Sequence, residues 1–551
     1  MKNKMLRNML IAGIAILYAC QSNDDFLKEN LNGKIFGEYF YSNRDELELA
    51  TNALYGNMTH CWHGYYTTFM VALYAGDDIT TPYSGNLSYM QNDIFVRQGE
   101  NEDMQGGWTK AYTAINTANG IINNYLRAKG TLNTDNPQKD EELLHYYAAQ
   151  AHFVRGYVYF WLARLFNKLP YVVTAREMDR TMQLSTPDAI YEHIVEDLKI
   201  AEEWLPETWA GIDALKHTGG GFTKPVATAA LAQVYLAMAG YPLNKGTEYY
   251  QKAAEKAKEL MDDNAQGKYK FRLLDHCADL WKPTPTVTDE MVFRLMYNKT
   301  GGNYNVCAPL FGRPAPLGGW EAYCAELNFF YRFPAGERKN ATFVTEFPLE
   351  TGNPMAKPPY PWPADNPMLP WTEYMLKHPY YNKMWEAEFC QGEDRWRPLD
   401  NGSEWNCGRT QQLIRWAEIL LVYAEAKAMS GGPDDLAYDC IDQVRNRAYA
   451  GVGSTGKELQ RGLTATAFRD SVFVERGWEF AGEFIHRWFD LLRLELVEEA
   501  MKENPARDKS FLPGRNRSEW KIVNDLTKAN YFFPIPTEDV LLNPNLDNNH
   551  L

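Results

Sequence analysis

The chain of 551 residues is 45% hydrophobic, 14% aromatic and 23% charged, a balance that excludes disordered, collagenous and disulfide-knot classes. Its formal net charge of −15 leaves no basic footprint for phosphate backbones, which argues against nucleic acid as a partner and against electrostatic attachment to an anionic membrane surface. At about 100–200 residues per domain, the length fits two to four domains or one large repeat-built domain.

Residues 1–19 read as a secretory leader. Lys2, Lys4 and Arg7 open it, and an apolar run of about eleven residues from Met9 to Ala19 follows, short of the roughly 20 that a spanning helix needs. Leu17-Tyr18-Ala19-Cys20 is similar to a bacterial lipobox, which implies that Cys20 is acylated and becomes the first residue. Loss of the three leader cations takes the charge from −15 to −18. Asp24 and Asp25, in the tether that follows, resemble an export signal for the outer face of some Gram-negative anaerobes; the plainer reading is a solvated linker. No later apolar run is long enough to span, so acyl chains would tie a soluble domain to a membrane.

The helical period is strongest where Leu144, Ala148, Ala151, Val154, Val158, Trp161 and Leu165 form one stripe. Thr186-Pro187 caps a second helix, with stripe residues Tyr191, Ile194, Leu198, Ala201 and Leu205. Further helices are predicted over 225–239 (closed by Gly240), 248–261, 411–429, 434–448, 465–482 and 485–498. Alanines recur on the stripes, where small side chains let helix axes approach, as in tetratricopeptide-type stacks, although no clean 34-residue period is present. Between these blocks, residues 281–400 hold 16 of the 29 prolines together with Trp281, Trp320, Trp362, Trp371, Trp385 and Trp396. Proline excludes long helices there, and long irregular segments in compact domains usually carry function.

Several motifs fail on context. Gly451-Val452-Gly453-Ser454-Thr455-Gly456 has the spacing of a dinucleotide fingerprint, but a helix precedes it where a strand is required. Glu475, Glu479, Glu483 and Asp490, near Arg476, Arg487 and Arg493, are the densest carboxylates; Glu479, Glu483 and Arg487 at i, i+4 and i+8 read as an internal ion-pair ladder in preference to a glycosidase pair. No metal-binding motif occurs. Seven cysteines remain after Cys20, an odd number with no C-x-x-C; Cys307/Cys324 and Cys390/Cys407 are spaced for local disulfides, and the assignment stays open. Six N-x-S/T sequons, at Asn57, Asn86, Asn298, Asn340, Asn401 and Asn516, read as chance matches behind a bacterial leader.

Blocks along the whole chain are similar to the SusD/RagB family: NALYGNM (52–58), WTKAYTAINTANGII (108–122), AAQAHFVRGYVYFWLARLFNKLPYVV (148–173), GFTKPVATAALAQVYLAMAGYPLN (221–244), YYQKAAEKAKELM (249–261), IDQVRNRAY (441–449), ERGWEFAGEFIHRWFDLLR (475–493) and YFFPIPTEDVLLNPNLDNN (531–549). The resemblance implies an all-α fold in which four degenerate tetratricopeptide-like hairpins support a loop-rich irregular half. Residues 20–551 would be one SusD-like domain, with a helical scaffold over roughly 40–262 and 410–500, an irregular insert over roughly 263–410 and an extended tail over 501–551. It further implies an outer-membrane lipoprotein facing the cell exterior that binds a glycan and delivers it to a SusC-like TonB-dependent transporter, without catalysis, cofactor or metal. A peptide-capturing or protein-interaction scaffold of the same fold is the alternative.

Sugars are held by aromatic faces and by polar groups that read hydroxyls. In the family the site lies on loops, here those near Asp77-Asp78 and Gly318-Gly319-Trp320. The glycines before Trp320 would let its ring stand out of the backbone. The resemblance therefore nominates Trp320, Asp77, Asp78, Tyr83, Asn86, Tyr89, Tyr323, Tyr304 and Arg313 as ligand contacts, and Trp108, in a helix block, as structural; the plainer readings are a core tryptophan for Trp320 and turn caps for Asp77 and Asp78.

Overall fold

The computed structural model describes residues 40–62, 74–81, 87–132, 136–175, 180–210, 212, 221–281, 288–298, 305, 312–314, 319, 322–348, 367–374, 377–384, 408, 410–450, 457–483, 486–502 and 526–547. The predicted leader, Cys20 and the glycine-rich segment 451–456 lie outside them.

Ten helices of eight or more residues are found among the described residues: α1 (Arg44–Trp62), α2 (Glu102–Asn124), α3 (Pro137–Phe166), α4 (Pro187–Trp204), α5 (Lys224–Ala239), α6 (Thr247–Ala265), α7 (Trp416–Gly431), α8 (Asp435–Ala448), α9 (Ala465–Glu479) and α10 (His486–Arg493). Their starts follow side-chain chemistry. Asn101 accepts from the Met104 N–H, Thr186 from Ala189, Asp434 from Ala437 and Thr464 from Ala467, while Pro137, Pro187 and Pro225 occupy first-turn positions where no N–H is needed.

Each helix packs on the next from α1 to α8, and α9 returns to α7. The bridge between the two sequence halves is α6 against α7. Alanines make this close stacking feasible: Ala227, Ala229, Ala230 and Ala232 of α5, Ala253 and Ala257 of α6, and Ala417, Ala424 and Ala426 of α7 are all buried. Helices α5 and α7, and α3 beyond Leu143, are buried nearly all round, as their mainly apolar sequences require. Trp108 of α2 packs against Tyr112 and Phe166 in this core. The all-α, tetratricopeptide-like fold expected from the sequence is the fold found.

The strands are short: β1 (Ile79–Thr80), β2 (Met291–Leu295), β3 (Cys324–Ala325), β4 (Phe343–Val344), β5 (Glu346–Pro348), β6 (Met368–Pro370), β7 (Tyr380–Tyr381) and β8 (Gln411–Arg415). One antiparallel sheet has the order β1-β3-β7-β4; β2 pairs with β8, and β5 with β6.

Three predicted helices are corrected. Residues 411–415 are strand, because Met291 pairs with Arg415 and Leu295 with Gln411, and the helix starts only at Trp416. The expected 465–482 helix stops at Glu479, and Gly482 turns the chain with φ of +71° before α10. Glu479, Glu483 and Arg487 therefore do not share one helix face. The expected 485–498 helix ends at Arg493, Glu495 takes a φ of +57°, and a separate short helix covers Val497–Lys502. Cys61, Cys277 and Cys440 are buried thiols; Cys307, Cys390 and Cys407 lie outside the described residues.

Candidate functional site

The register of the small sheet determines where the irregular loops emerge. Ile79 pairs with Ala325 and Thr80 with Cys324, antiparallel. The chain leaving β1 after Thr81 and the chain entering β3 through Ala322 therefore meet the sheet at the same end. These are the two segments that sequence reasoning nominated, and pairing across more than 240 residues brings them together. Ahead of β3, the Gly319 N–H donates to the Pro314 carbonyl at 3.1 Å, and a Cβ on Gly319 would run into the carbonyl of Arg313. Only glycine permits that approach immediately before Trp320.

At the other end of the ladder the two aspartates are locked. Arg487 grips Asp77 with Nε on Oδ1 at 2.5 Å and Nη2 on Oδ2 at 2.9 Å, and Arg332 Nη2 lies 3.7 Å from Oδ2. The Asp78 carboxylate accepts from the Gly482 N–H at 3.1 Å, and its carbonyl accepts from the Tyr381 hydroxyl and the Glu326 N–H. The Tyr323 hydroxyl donates to the Gly482 carbonyl at 2.5 Å. A side chain at Gly482 would run into the Tyr381 ring, so glycine is required by space as well as by φ. Asp78 Oδ1 is buried without a hydrogen bond, and burial, then the adjacent Asp77 charge, push this carboxyl up to about 6 against the pull of Gly482 and Arg487.

Among the described candidates, Asp77, Asp78, Tyr89, Tyr323 and Arg313 are all buried. Tyr89 stacks on Tyr74, whose hydroxyl donates to the Ala322 carbonyl at 2.7 Å. Ion pairing, hydrogen bonding and ring packing engage Asp77, Asp78, Tyr89 and Tyr323 within the protein, and Arg313 is buried, so none of the five presents an exposed side chain. Trp320, Tyr83, Asn86 and Tyr304 lie outside the described residues. Arg487, Gly482 and Tyr381 complete the contacts of the two aspartates, and no sequence spacing signals that Arg487 meets Asp77.

A second cluster ties the irregular half to the helices. Glu479 at the end of α9 receives Arg415 and Arg447 on one oxygen and Arg338 on the other. Arg415 also bonds Glu290 and Glu483, Lys383 bonds Glu483 at 2.6 Å, and Arg338 bonds Glu475 at 2.6 Å. Burial works against ionised Glu479, but the Arg447, Arg415, Arg338 and Lys383 charges outweigh it and hold its carboxyl well below the usual range. Nearby, Asp490 accepts from Arg476 and Arg493; these charges overcome the opposing effect of burial and hold it down to about 2. The predicted carboxylates are thus internal ion-pair partners, as read, but their cations come from distant strands and loops as well as from neighbouring helical turns.

Among the described residues, one cavity adjoins the Asp490 ion pairs and another lies on the scaffold. The first, of about 40 Å³, is lined by Arg164, Glu418, Arg476 and Asp490. An open cleft of about 630 Å³ at the start of α3 and end of α4 is lined by Glu141, Glu142, Tyr146, Trp204 and Glu207. Among the described residues, no group of three or more His, Cys, Asp and Glu is arranged to hold a metal, and no helix is long and apolar enough to cross a membrane.

Comparison with known proteins places this architecture. A family model described as the SusD family matches residues 395–551, and one described as starch-binding, associating with the outer membrane, matches residues 25–236. SusD-like protein P2 of Formosa agariphila is 27% identical over 545 residues, which cover 94% of this chain and 95% of that protein. The crystal structure of a SusD homolog from Bacteroides thetaiotaomicron superposes with a TM-score of 0.73 at 21% identity, covering 94% of this chain and 99% of the other. A laminarin-binding SusD-like protein superposes with a TM-score of 0.67 at 20% identity, covering 91% and 98%. With matched segments spanning more than half of the sequence and one shared helical architecture, the chain belongs to the SusD/RagB family.

Proposed function

We propose that this protein is a non-catalytic glycan-capture lipoprotein of the outer membrane, anchored through Cys20 and facing the cell exterior. It hands oligosaccharide to a SusC-like TonB-dependent transporter, with residues 20–551 working as one unit. The observation that supports the reading is the β1–β3 register, which brings Thr81 and Ala322, where the two nominated loops begin and end, to one end of the small sheet. A similar fold in a laminarin-binding relative supports the ligand class. On this reading Trp320 stacks on a sugar ring, with Tyr83, Asn86 and Tyr304 on the same loops as polar and aromatic partners. A single oligosaccharide held by a few stacked rings and hydroxyl contacts is bound weakly, on the order of micromolar to millimolar. Neighbouring copies on a polymer add avidity.

The test is a binding screen of the protein against host and plant glycans, with product release monitored and Trp320→Ala beside the parent. Saturable binding, ligand recovered intact and a loss of about tenfold or more in the variant support the reading. Shortened glycan in the recovered fraction would contradict a non-catalytic role. Silence across a broad panel would favour peptide capture by the same fold.

A further inference from the structure

A patch on the irregular half, at the Asp77 end of the sheet and not at the end where the loops emerge, carries the inventory for another ligand contact. The short helix Leu327–Arg332 follows β3 and exposes Asn328, Tyr331 and Arg332 together, at i, i+3 and i+4. Tyr331 is 64% exposed, and no other phenylalanine, tyrosine or tryptophan among the described residues is as open. Beside it, half-buried Trp371 stands in the turn after β6, its ring centroid 6.0 Å from Tyr331 with the planes inclined at 55°.

Trp371 is held in place. Its backbone N–H donates to the Thr345 carbonyl at 2.8 Å, and its ring meets buried Phe330 edge-on at 5.7 Å and 77°. Phe330 is fixed in turn by Phe343 at 5.0 Å and by the Lys339 ammonium 4.2 Å from its ring centroid. The two outer rings therefore make a pre-organised notch over a rigid base, which lowers the ordering cost of binding. Around them Thr345, Glu346, Thr372 and Glu373 are exposed and polar. A rim of this kind suits a ligand with one apolar face and many hydroxyls better than it suits a broad apolar protein surface.

We propose that Tyr331 and Trp371, with Asn328 and Arg332 at their edge, form a second stacking platform that takes a hexose unit of a glycan chain. This rests on the glycan-capture reading above. The sugar's C–H face lies on the rings, the Asn328 amide and Arg332 guanidinium read its hydroxyls, and the Tyr331 hydroxyl adds a donor. An oligosaccharide long enough to engage both the loops and the platform would gain from the second as an intramolecular contact.

The experiment titrates the full chain in detergent with laminarin, soluble starch and xyloglucan, comparing the parent with Tyr331→Ala, Tyr331→Phe, Trp371→Ala and Trp320→Ala. For a probe that the parent binds, Tyr331→Ala should weaken binding by about five- to tenfold with unchanged Tm, while Tyr331→Phe stays within about twofold. Trp371→Ala should lose at least as much as Tyr331→Ala; if it fails to fold, Tyr331→Ala alone decides. Unchanged binding in Tyr331→Ala beside weakened binding in Trp320→Ala would overturn the platform and leave glycan capture standing. A parent that binds none of the three probes and nothing on the broad panel above would overturn both.

Discussion

The helical scaffold and the irregular half are held by different forces. In α5, in α7 and in α3 beyond Leu143 most side chains are apolar and buried, so cohesion there comes mainly from area removed from water and from close alanine contacts, with a few buried ion pairs such as Arg155–Asp197 among them. The irregular half has strands of two to five residues, and it meets the helices through buried ion pairs: Arg338, Lys383, Arg415 and Glu290 converge on Glu475, Glu479, Glu483 and Arg447. A dispersed apolar core tolerates the loss of one contact. A charge hub does not, because removing one member strands the others in a low dielectric.

The sharpest way to break that contrast is Glu479→Ala, which leaves Arg338, Arg415 and Arg447 short of a counter-charge. It should cost about 3–5 kcal/mol, read by denaturant unfolding. A cost below about 1 kcal/mol would mean that the hub is relieved by water or by rearrangement.

Asp78→Asn comes next, with the opposite sign. Asp78 ionises near 3.8 when unfolded but near 6 in the fold. The folded state retains a proton that the unfolded state has lost between these values. The protonated carboxyl's contribution is therefore full below pH 3.8 and is lost as pH rises through 6. A permanently neutral amide should stabilise the protein at pH 7 by on the order of 3 kcal/mol and make little difference at pH 3.5. Tm values at the two pH values check this, and an equal shift at both would contradict it.

The smallest effect belongs to the scaffold surface. Lys252 and Glu248 of α6 form an exposed i,i+4 pair at 2.6 Å. Lys252→Ala should leave Tm unchanged within error, because solvent screens such pairs.

The same division explains what could be read from the chain. Thr186-Pro187, the stripe from Leu144 to Leu165 and the alanines of α5 and α7 are local signals, and periodicity captures them. Gln411–Arg415 was legible only as more helix, since its strand character comes from pairing with Met291–Leu295 more than 110 residues away. The nominated loop segments around Asp77 and Trp320 do meet in the sheet, yet the side chains assigned to ligand at Asp77, Asp78, Tyr89 and Tyr323 turn inward. Burial and the Asp77–Arg487 pair are tertiary facts, and composition alone does not distinguish an aspartate that reads a sugar from one that clamps an arginine. Tyr331, exposed beside Trp371, carried no periodic or motif signal at all.

The most direct measurement is native-state hydrogen exchange of the parent and of Glu479→Gln. If charge anchors the irregular half, the variant should speed exchange in Met291–Leu295, Cys324–Val344 and Gln411–Arg415 while α3 and α5 keep the parent's protection. Equal acceleration across all of these segments, or none in the strands, would contradict a charge-held half seated on an independently stable scaffold.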